Sequence, residues 1–568
     1  MFTVVQRTTV GNNDTRITRP KSQVHPVKFR SIKVQPRKSF LTKEKLTWLK
    51  NVKNYFYEYC GLSGLHGVKY LAESGRFIVE RLVWMIVLIV MGYVCISLIS
   101  RAYDKWRSSP VMISFATTET PIRKIPFPAV TICPEIKSDP DIFNYSDVLL
   151  RKLNDSYVTS EENEIFEGLS LVCPGMITTS HLDDNFMENT SPTVSPSVIT
   201  NMFNVSFHAD EIVTNLWWRG ARIFYGDVLT DIYTGEGICY SFNMIDPNYL
   251  QTNTEKYQNP SATQAKLKGW SLADGYVSED TIDDFPRRTF ASGVSGGLRV
   301  FLFTNHSHID RFCSNDNEGF QVTIHHPAEF PNMNTNFRVP LDQTVSVAIK
   351  PTLITVSEEL INYKPEDRKC YFSNERNLTY FLSYSQQNCL DECLTNYTMQ
   401  YCGCVAFYMP KSKSFPICGL GRIDCIERSR NDYLLDSSNT TDCNCLPSCT
   451  SLKYEVEISQ SKWAWRESFI IQKTLDKNSS DFLSSFEKSH FSKLIVYFKD
   501  MQFLALERHA IYGTIDFFSN TGGLLGLFIG FSLTSAIEIV YFLTLRVVCN
   551  IKKFGRNFWS GQEVSNQK

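Results

Sequence analysis

Two long apolar runs, one toward each end of the chain, constrain this sequence more than any other feature. The first, "LVWMIVLIVMGYVCISLIS" from Leu82 to Ser100, holds 19 residues without a charge and is bracketed by Arg81 and Arg101. The second, from Phe517 to Leu545, holds 29 residues with Glu538 as its one charged residue. A helix rises about 1.5 Å per residue, so either run crosses a hydrocarbon core about 30 Å thick. A buried core helix is the competing explanation, but buried helices usually carry shorter uncharged runs.

Charge follows the same division. Formal net charge is −1, yet residues 1–81 hold 16 Lys/Arg against 5 Asp/Glu, and residues 546–568 hold 5 against 1. The segment between is strongly acidic. Basic flanks stay on the cytoplasmic side, so both ends are expected inside a plasma membrane crossed twice. The first run begins about 80 residues in, behind a polar basic segment, and is not placed like a cleaved signal peptide. The expected organisation is a cytoplasmic region over 1–81, a first transmembrane helix over 82–103, an extracellular domain over 104–515, a second transmembrane helix over 516–546 and a cytoplasmic tail over 547–568. Residues 1–50, with Pro20, Pro26 and Pro36, read as a flexible tail.

Cysteine usage agrees with that topology. Of 17 cysteines, Cys60, Cys95 and Cys549 lie in or near the apolar runs, and the other fourteen fall between Cys133 and Cys449. Fourteen allow seven disulfides in an oxidising compartment. The dense "NCLDECLTNYTMQYCGC" and "CNCLPSC" would suggest zinc in a cytosolic protein. Here nine N-x-S/T sequons share the segment: Asn144, Asn154, Asn189, Asn204, Asn305, Asn377, Asn396, Asn439 and Asn478. A secreted face carrying glycans favours disulfides.

Between the apolar runs, "FPAVTIC", "GLRVFLF", "GFQVTIHH" and "VSVAIKPTLITV" read as strands, rich in Val, Ile, Thr and Phe and bounded by turn residues. "SYSQQNCLDECLTNY" reads as a helix with Cys389 and Cys393 one turn apart. Ser479–Phe491 is a weaker helix. The fold class is α+β outside with two helices in the membrane.

No catalytic constellation emerges. Ser532 in "GFSLT" lacks the second glycine of a nucleophile elbow. His325–His326 and the "NHSH" of Asn305–His308 are the only histidine groupings, and adjacent strand residues face opposite ways, so no metal or cofactor is expected. The basic tails suit anionic lipid rather than nucleic acid. The second apolar run is the informative place. Gly522, Gly526 and Gly530 recur every four residues and form one small-residue face, which serves helix packing. Ser532, Thr534 and Glu538 then put polar groups at membrane depth, where Glu538 needs a cavity, water or a partner. Gly530 permits a break in the helix, and an unwound turn would offer carbonyl oxygens to small cations.

With these residues in view, the sequence resembles the degenerin/epithelial sodium channel family, and within it the insect pickpocket branch. The landmarks occur in order over about residues 55 to 550: "GLHGVKYL", "FPAVTICP", "GICYSFN", "GFQVTIHHPAEFP", "YSQQNCLDECLTNYTMQYCGCVAFYMP", "CNCLPSCTSLKYEVEIS" and "GGLLGLFIGFSLTSAIEIVYF". The resemblance implies a homo- or heterotrimer of related subunits, selective for sodium, blocked by amiloride, with a hand-like extracellular domain. It makes Gly530–Phe531–Ser532 the selectivity belt, with Phe531 where a small residue is usual. It makes His66–Gly67 and Ser519 gating positions and places Glu538 in the inner vestibule. It pairs Cys133–Cys239 and, in a thumb-like part over 370–449, Cys370–Cys449, Cys389–Cys445, Cys393–Cys443, Cys402–Cys425 and Cys404–Cys418, leaving Cys173 and Cys313 for each other. Met112 and Ile113 stand near the places where proton-gated relatives carry a histidine pair. The stimulus is unassigned, and the alternative function is a non-conducting or modulatory receptor glycoprotein subunit.

Overall fold

The computed structural model describes residues 48–108, 111–173, 190–252, 269–272, 275–278, 284–314, 317–435, 443–468 and 488–561. The tail over 1–47, the sequons at Asn189, Asn439 and Asn478, and most of the helix expected over Ser479–Phe491 lie outside these residues; Ser489–Phe491 open a strand instead. The chain forms two compact units, one of Ser100–Asn520 and one that combines the residues up to Ile99 with those from Thr521 onward.

Two sheets pack face to face in the unit Ser100–Asn520. The larger has eight strands and runs Val111–Pro121, Gln502–Ala510, Gln343–Val356, Ser489–Phe498, Leu298–Asn305, Val213–Trp218, Ala221–Ile223, with Ser451–Lys462 also paired to Gln343–Val356. The smaller has five antiparallel strands in the order Asn336–Val339, Phe320–His325, Ala129–Pro134, Gly237–Phe242, Leu229–Thr234. In Leu298–Asn305, buried Leu298, Val300 and Leu302 alternate with partly exposed neighbours, the period of a strand with one core face. Ala129–Pro134 and Gly237–Phe242 are buried along their whole length. Val130, Ile132, Tyr240 and Phe242 enter the core shared with the larger sheet, while Ala129, Cys133 and Cys239 join a second cluster with Met244 and Trp270. Cover on both faces is why "FPAVTICP" reads as an unbroken apolar run.

Gln343–Val356 is the spine of the larger sheet. It runs antiparallel to Ser451–Lys462 over nearly all its length, parallel to Ser489–Phe498 early on, and parallel to Gln502–Ala510 at its end. At the shared core, the Phe127 ring meets Trp218 at 4.7 Å, Phe498 at 5.5 Å and Phe242 at 6.4 Å between centroids.

The cysteine-rich part carries the helix Gln386–Cys402, started by the Ser385 side chain and ended by Gly403 in the left-handed region (φ 73°). Its partner helix is Ile423–Leu435. Cys370–Cys449, Cys389–Cys445, Cys393–Cys443, Cys402–Cys425 and Cys404–Cys418 staple these helices to each other and to flanking loops. Cys133–Cys239 ties the two buried strands, and Cys173–Cys313 joins a helical cluster built on Tyr145 stacked against Phe166 at 4.9 Å. All fourteen cysteines thus take their expected partners. Three remain free, Cys60, Cys95 and Cys549.

Replacing Phe127 by Ala removes the ring at the centre of the sandwich. The expected cost is about 3–5 kcal/mol, read as a lower thermal unfolding midpoint of the detergent-solubilised protein. Tyr157→Ala, at a residue 83% exposed, is the control and leaves the midpoint nearly unchanged.

Candidate pore segment

The helix Ile78–Arg107 has 30 residues, a length of about 45 Å, and is apolar enough to cross a membrane. The second transmembrane helix, expected over 516–546 with a break allowed at Gly530, is interrupted there. It is helical over Thr514–Ile529, stops, and resumes over Leu533–Tyr541, passing through a π-helical turn at Phe542–Arg546 and continuing to Phe554. The stop falls at Gly530–Phe531–Ser532.

Local chemistry accounts for the interruption. Gly530 has φ +71°, a conformation that L side chains resist. Its amide bonds the Gly526 carbonyl at 3.0 Å, but the Phe531 amide reaches back to Leu525 at 3.2 Å, out of helical register. Ser532 restarts the helix as a capping box: its hydroxyl accepts from the Ser535 amide, and the Ser535 hydroxyl accepts from the Ser532 amide, each at 3.3 Å. Among the described residues, no backbone amide bonds the carbonyls of Gly530 and Phe531. Phe531 is partly exposed and Ser532 exposed.

The "HG" motif lies against this stop. The His66 amide bonds the Ile529 carbonyl at 2.9 Å, and a Cβ added to Gly530 would come within 2.7 Å of the His66 ring. Gly67 takes φ +79° and backs onto Trp84 and Leu88 of the first long helix. His66 and Gly530, distant in sequence, therefore meet, and Gly67 beside them seats on the first long helix. A Cβ on Gly522 or Gly526 would meet nothing within 4 Å. Glu538 is partly exposed, and no described residue pairs with its carboxylate. Ser519 is exposed on the helix Thr514–Ile529. Near the start of that helix, Phe517 stacks on Trp106 at 4.9 Å, and Lys105 lies 5.3 Å above the Tyr512 ring.

Sequence reasoning missed a clasp between the chain's two basic ends. The helix Trp48–Leu62 carries Asn51, whose amide donates to the Asn557 carbonyl at 2.9 Å and whose carbonyl accepts from Ser560 at 2.8 Å. Arg546 donates to Glu58 at 2.5 Å, and the Tyr55 ring packs against Phe542 and Trp559. Each run read alone is an ordinary amphipathic helix, so no local signal marks the pairing.

The histidine groupings have ordinary explanations. His325 meets the Thr131 hydroxyl at 2.8 Å, and the His326 ring accepts from the Ala328 amide at 3.2 Å. Burial pushes them down to about 4 and about 3. His308 stacks on Phe207 at 5.1 Å; its donor atom lies within 4.8 Å of those of Asp139 and Asp141, the one such group among the described residues. The sequon asparagines Asn144, Asn154, Asn204, Asn377 and Asn396 are exposed and Asn305 partly so.

Comparison with known proteins identifies this arrangement. Residues 59–542 match the family described as amiloride-sensitive sodium channel. The chain belongs to that family. Its members are membrane ion channels rather than enzymes, and they assemble from related subunits. The chain is similar to pickpocket protein 28 of Drosophila melanogaster, 28% identical with 88% of this chain and 79% of that protein covered. It is similar to sodium channel protein Nach of the same species, at 23% identity over 87% and 88%. Degenerin del-1 of Caenorhabditis elegans matches at 25% over 48% and 41%. The match covers both long helices, the fourteen paired cysteines and the interruption at Gly530.

Two measurements follow from these contacts. Cysteines placed at Asn51 and Ser560 are expected to cross-link efficiently; Arg546→Glu lowers the yield and adding Glu58→Arg restores it. Glu329, beside Ser385, is pushed up by burial to about 7 from an ordinary 4.5. The folded chain then holds this proton more tightly than the unfolded chain, so stability falls as pH rises from about 4.5 to about 7 and is flat above. Glu329→Gln is expected to raise the thermal midpoint at pH 8 by the equivalent of about 1–3 kcal/mol and to shrink the pH slope. Asp391, pushed up to about 6 by burial, keeps part of that slope.

Proposed function

We propose that the chain is a pore-forming subunit of an amiloride-sensitive, sodium-selective cation channel gated by an extracellular or mechanical stimulus. The observation that carries this reading is the stop at Gly530–Ser532. Within an apolar run, backbone carbonyls without intrahelical partners are tolerated where they line a water-filled path, and carbonyl rings are a ligand set for small cations. One chain cannot enclose such a path, so three copies, identical or related, surround it. Gly522 and Gly526 then let the copies approach, and Glu538 faces the inner vestibule, where a carboxylate favours cations. Phe531 is accommodated if the backbone makes the belt and the ring points away from the axis. Both termini are cytoplasmic in this reading, and the exposed sequon asparagines carry glycans.

Further support comes from the names of relatives that contain "sodium channel", and from the contact of His66 with Gly530, which couples the segment before the first long helix to the belt. The test is whole-cell recording of Ser519→Val, alone and with related subunits. The expected result is a constitutive inward current several-fold above wild type, carried by sodium in preference to potassium and blocked by amiloride. Silence of this variant at the cell surface would count against conduction. Gly530→Arg is expected to abolish the current and to poison co-expressed subunits. A modulatory, non-conducting subunit would instead leave partner currents intact.

A further inference from the structure

The outward face of the eight-stranded sheet carries a basic cluster. In Leu298–Asn305 the residues Leu298, Val300 and Leu302 face the sandwich core, so Arg299 and Phe301 face outward. On the neighbouring strand, Ile495 stands opposite Arg299 and Lys493 opposite Phe301. Arg299 and Lys493 are therefore diagonal neighbours, about 7–8 Å apart along the sheet and within reach of each other. On the other side, Trp217 stands opposite Arg299, and exposed Arg222 stands opposite Trp217. Trp463 completes the cluster: the Lys493 ammonium lies 4.3 Å from its ring centroid and 5.4 Å from that of Phe301.

No described residue balances these charges. Among the described residues, neither the Arg299 nor the Lys493 side chain has a hydrogen-bond or ion-pair partner, and the Arg299 Nε is buried without an acceptor. Burial, and then the charge of Arg299, lower the Lys493 pKa, and no carboxylate offsets them. The outward positions around the pair are Asn215, Trp217, Phe301, Ile495, Thr344 and Ser346, and none is acidic. The segment between the apolar runs is strongly acidic, so unpaired cations side by side are out of keeping with their surroundings. Farther along the same sheet a cation is paired: Lys499 meets Glu457 at 2.7 Å. Two neighbouring cations repel, and an anion bound between them replaces that repulsion by attraction.

We propose that this face binds a sulfated polysaccharide, its sulfates on Arg299, Lys493 and Arg222 and its sugar rings against Trp217 and Trp463. From Arg222 to Lys493 the cluster crosses three strand spacings, about 14 Å, so an extended polyanion lying across the strands meets all three cations. A peptide strand is disfavoured, because it adds to a free sheet edge. Leu298–Asn305 and Ser489–Phe498 are each paired on both sides and offer side chains only. A small inorganic anion would engage the cations and leave both tryptophans unused. The inference rests on the extracellular placement of the unit Ser100–Asn520 and not on conduction, so binding and current fail independently.

The test uses intact cells that lack endogenous glycosaminoglycans and express the full-length chain, so its basic ends, cytoplasmic in the channel reading, do not contribute. The probes are a fluorescent heparin octasaccharide, its desulfated counterpart and polyglutamate of similar charge. Binding is normalised to surface-biotinylated protein, which also reports the placement of the unit. The octasaccharide is expected to bind saturably and to weaken as salt rises, the desulfated probe not to bind, and polyglutamate to bind more weakly. Arg299→Ala with Lys493→Ala lowers octasaccharide affinity at least about tenfold, whereas Lys499→Ala, at a cation already paired, leaves it unchanged. Arg222→Glu, at an exposed residue, also weakens binding, a readout that stands if the double variant reaches the surface poorly. Trp463→Ala weakens the octasaccharide more than polyglutamate. No saturable binding, equal binding of the desulfated probe, polyglutamate as tight as the octasaccharide, or insensitivity to both the double variant and Arg222→Glu would each overturn the proposal.

Discussion

Backbone amides and carbonyls inside hydrocarbon need partners, and an α-helix supplies them from within. The stop at Gly530–Ser532 gives up that self-sufficiency in the middle of an apolar run. Its ends are secured one by one: Gly530 supplies the left-handed backbone, Ser532 and Ser535 cap the restart, and the His66 amide takes the Ile529 carbonyl. Among the described residues, no backbone amide is left to pair the carbonyls of Gly530 and Phe531. In the proposed channel, that stretch and the faces of Gly522, Gly526 and Glu538 meet water or other copies of the chain.

The unit Ser100–Asn520 is held by different means. Its sandwich core is dry and aromatic around Phe127, and its longest strand, Gln343–Val356, pairs with three others in succession. Beside it, three disulfides anchor the helices Gln386–Cys402 and Ile423–Leu435 and two more tie their flanking loops.

Much of this was legible in the sequence because the signals are local. Uncharged runs, sequons, cysteine spacing and β-branched runs each sit within a few residues, and so does the Gly530–Ser532 pair that stops the helix. Gly530 marked the place where the helix over 516–546 can break, whereas the capping by Ser532 and Ser535 is visible only in the structure. The clasp was invisible because Glu58 and Arg546 are 488 positions apart. His66 against Gly530 and the Tyr433 hydroxyl, which has no hydrogen-bond partner among the described residues, were equally hidden. An orphaned group is defined by what fails to surround it, and a one-dimensional pattern carries no such information.

The clasp also speaks to topology by counting alone. Asn51 lies before the first long helix and Ser560 after the last, yet they are hydrogen-bonded. Residues in contact occupy one compartment, so the chain between them crosses any bilayer an even number of times. Parity of this kind does not depend on charge bias or hydropathy. It excludes a single crossing and any arrangement in which only one of the two apolar helices spans.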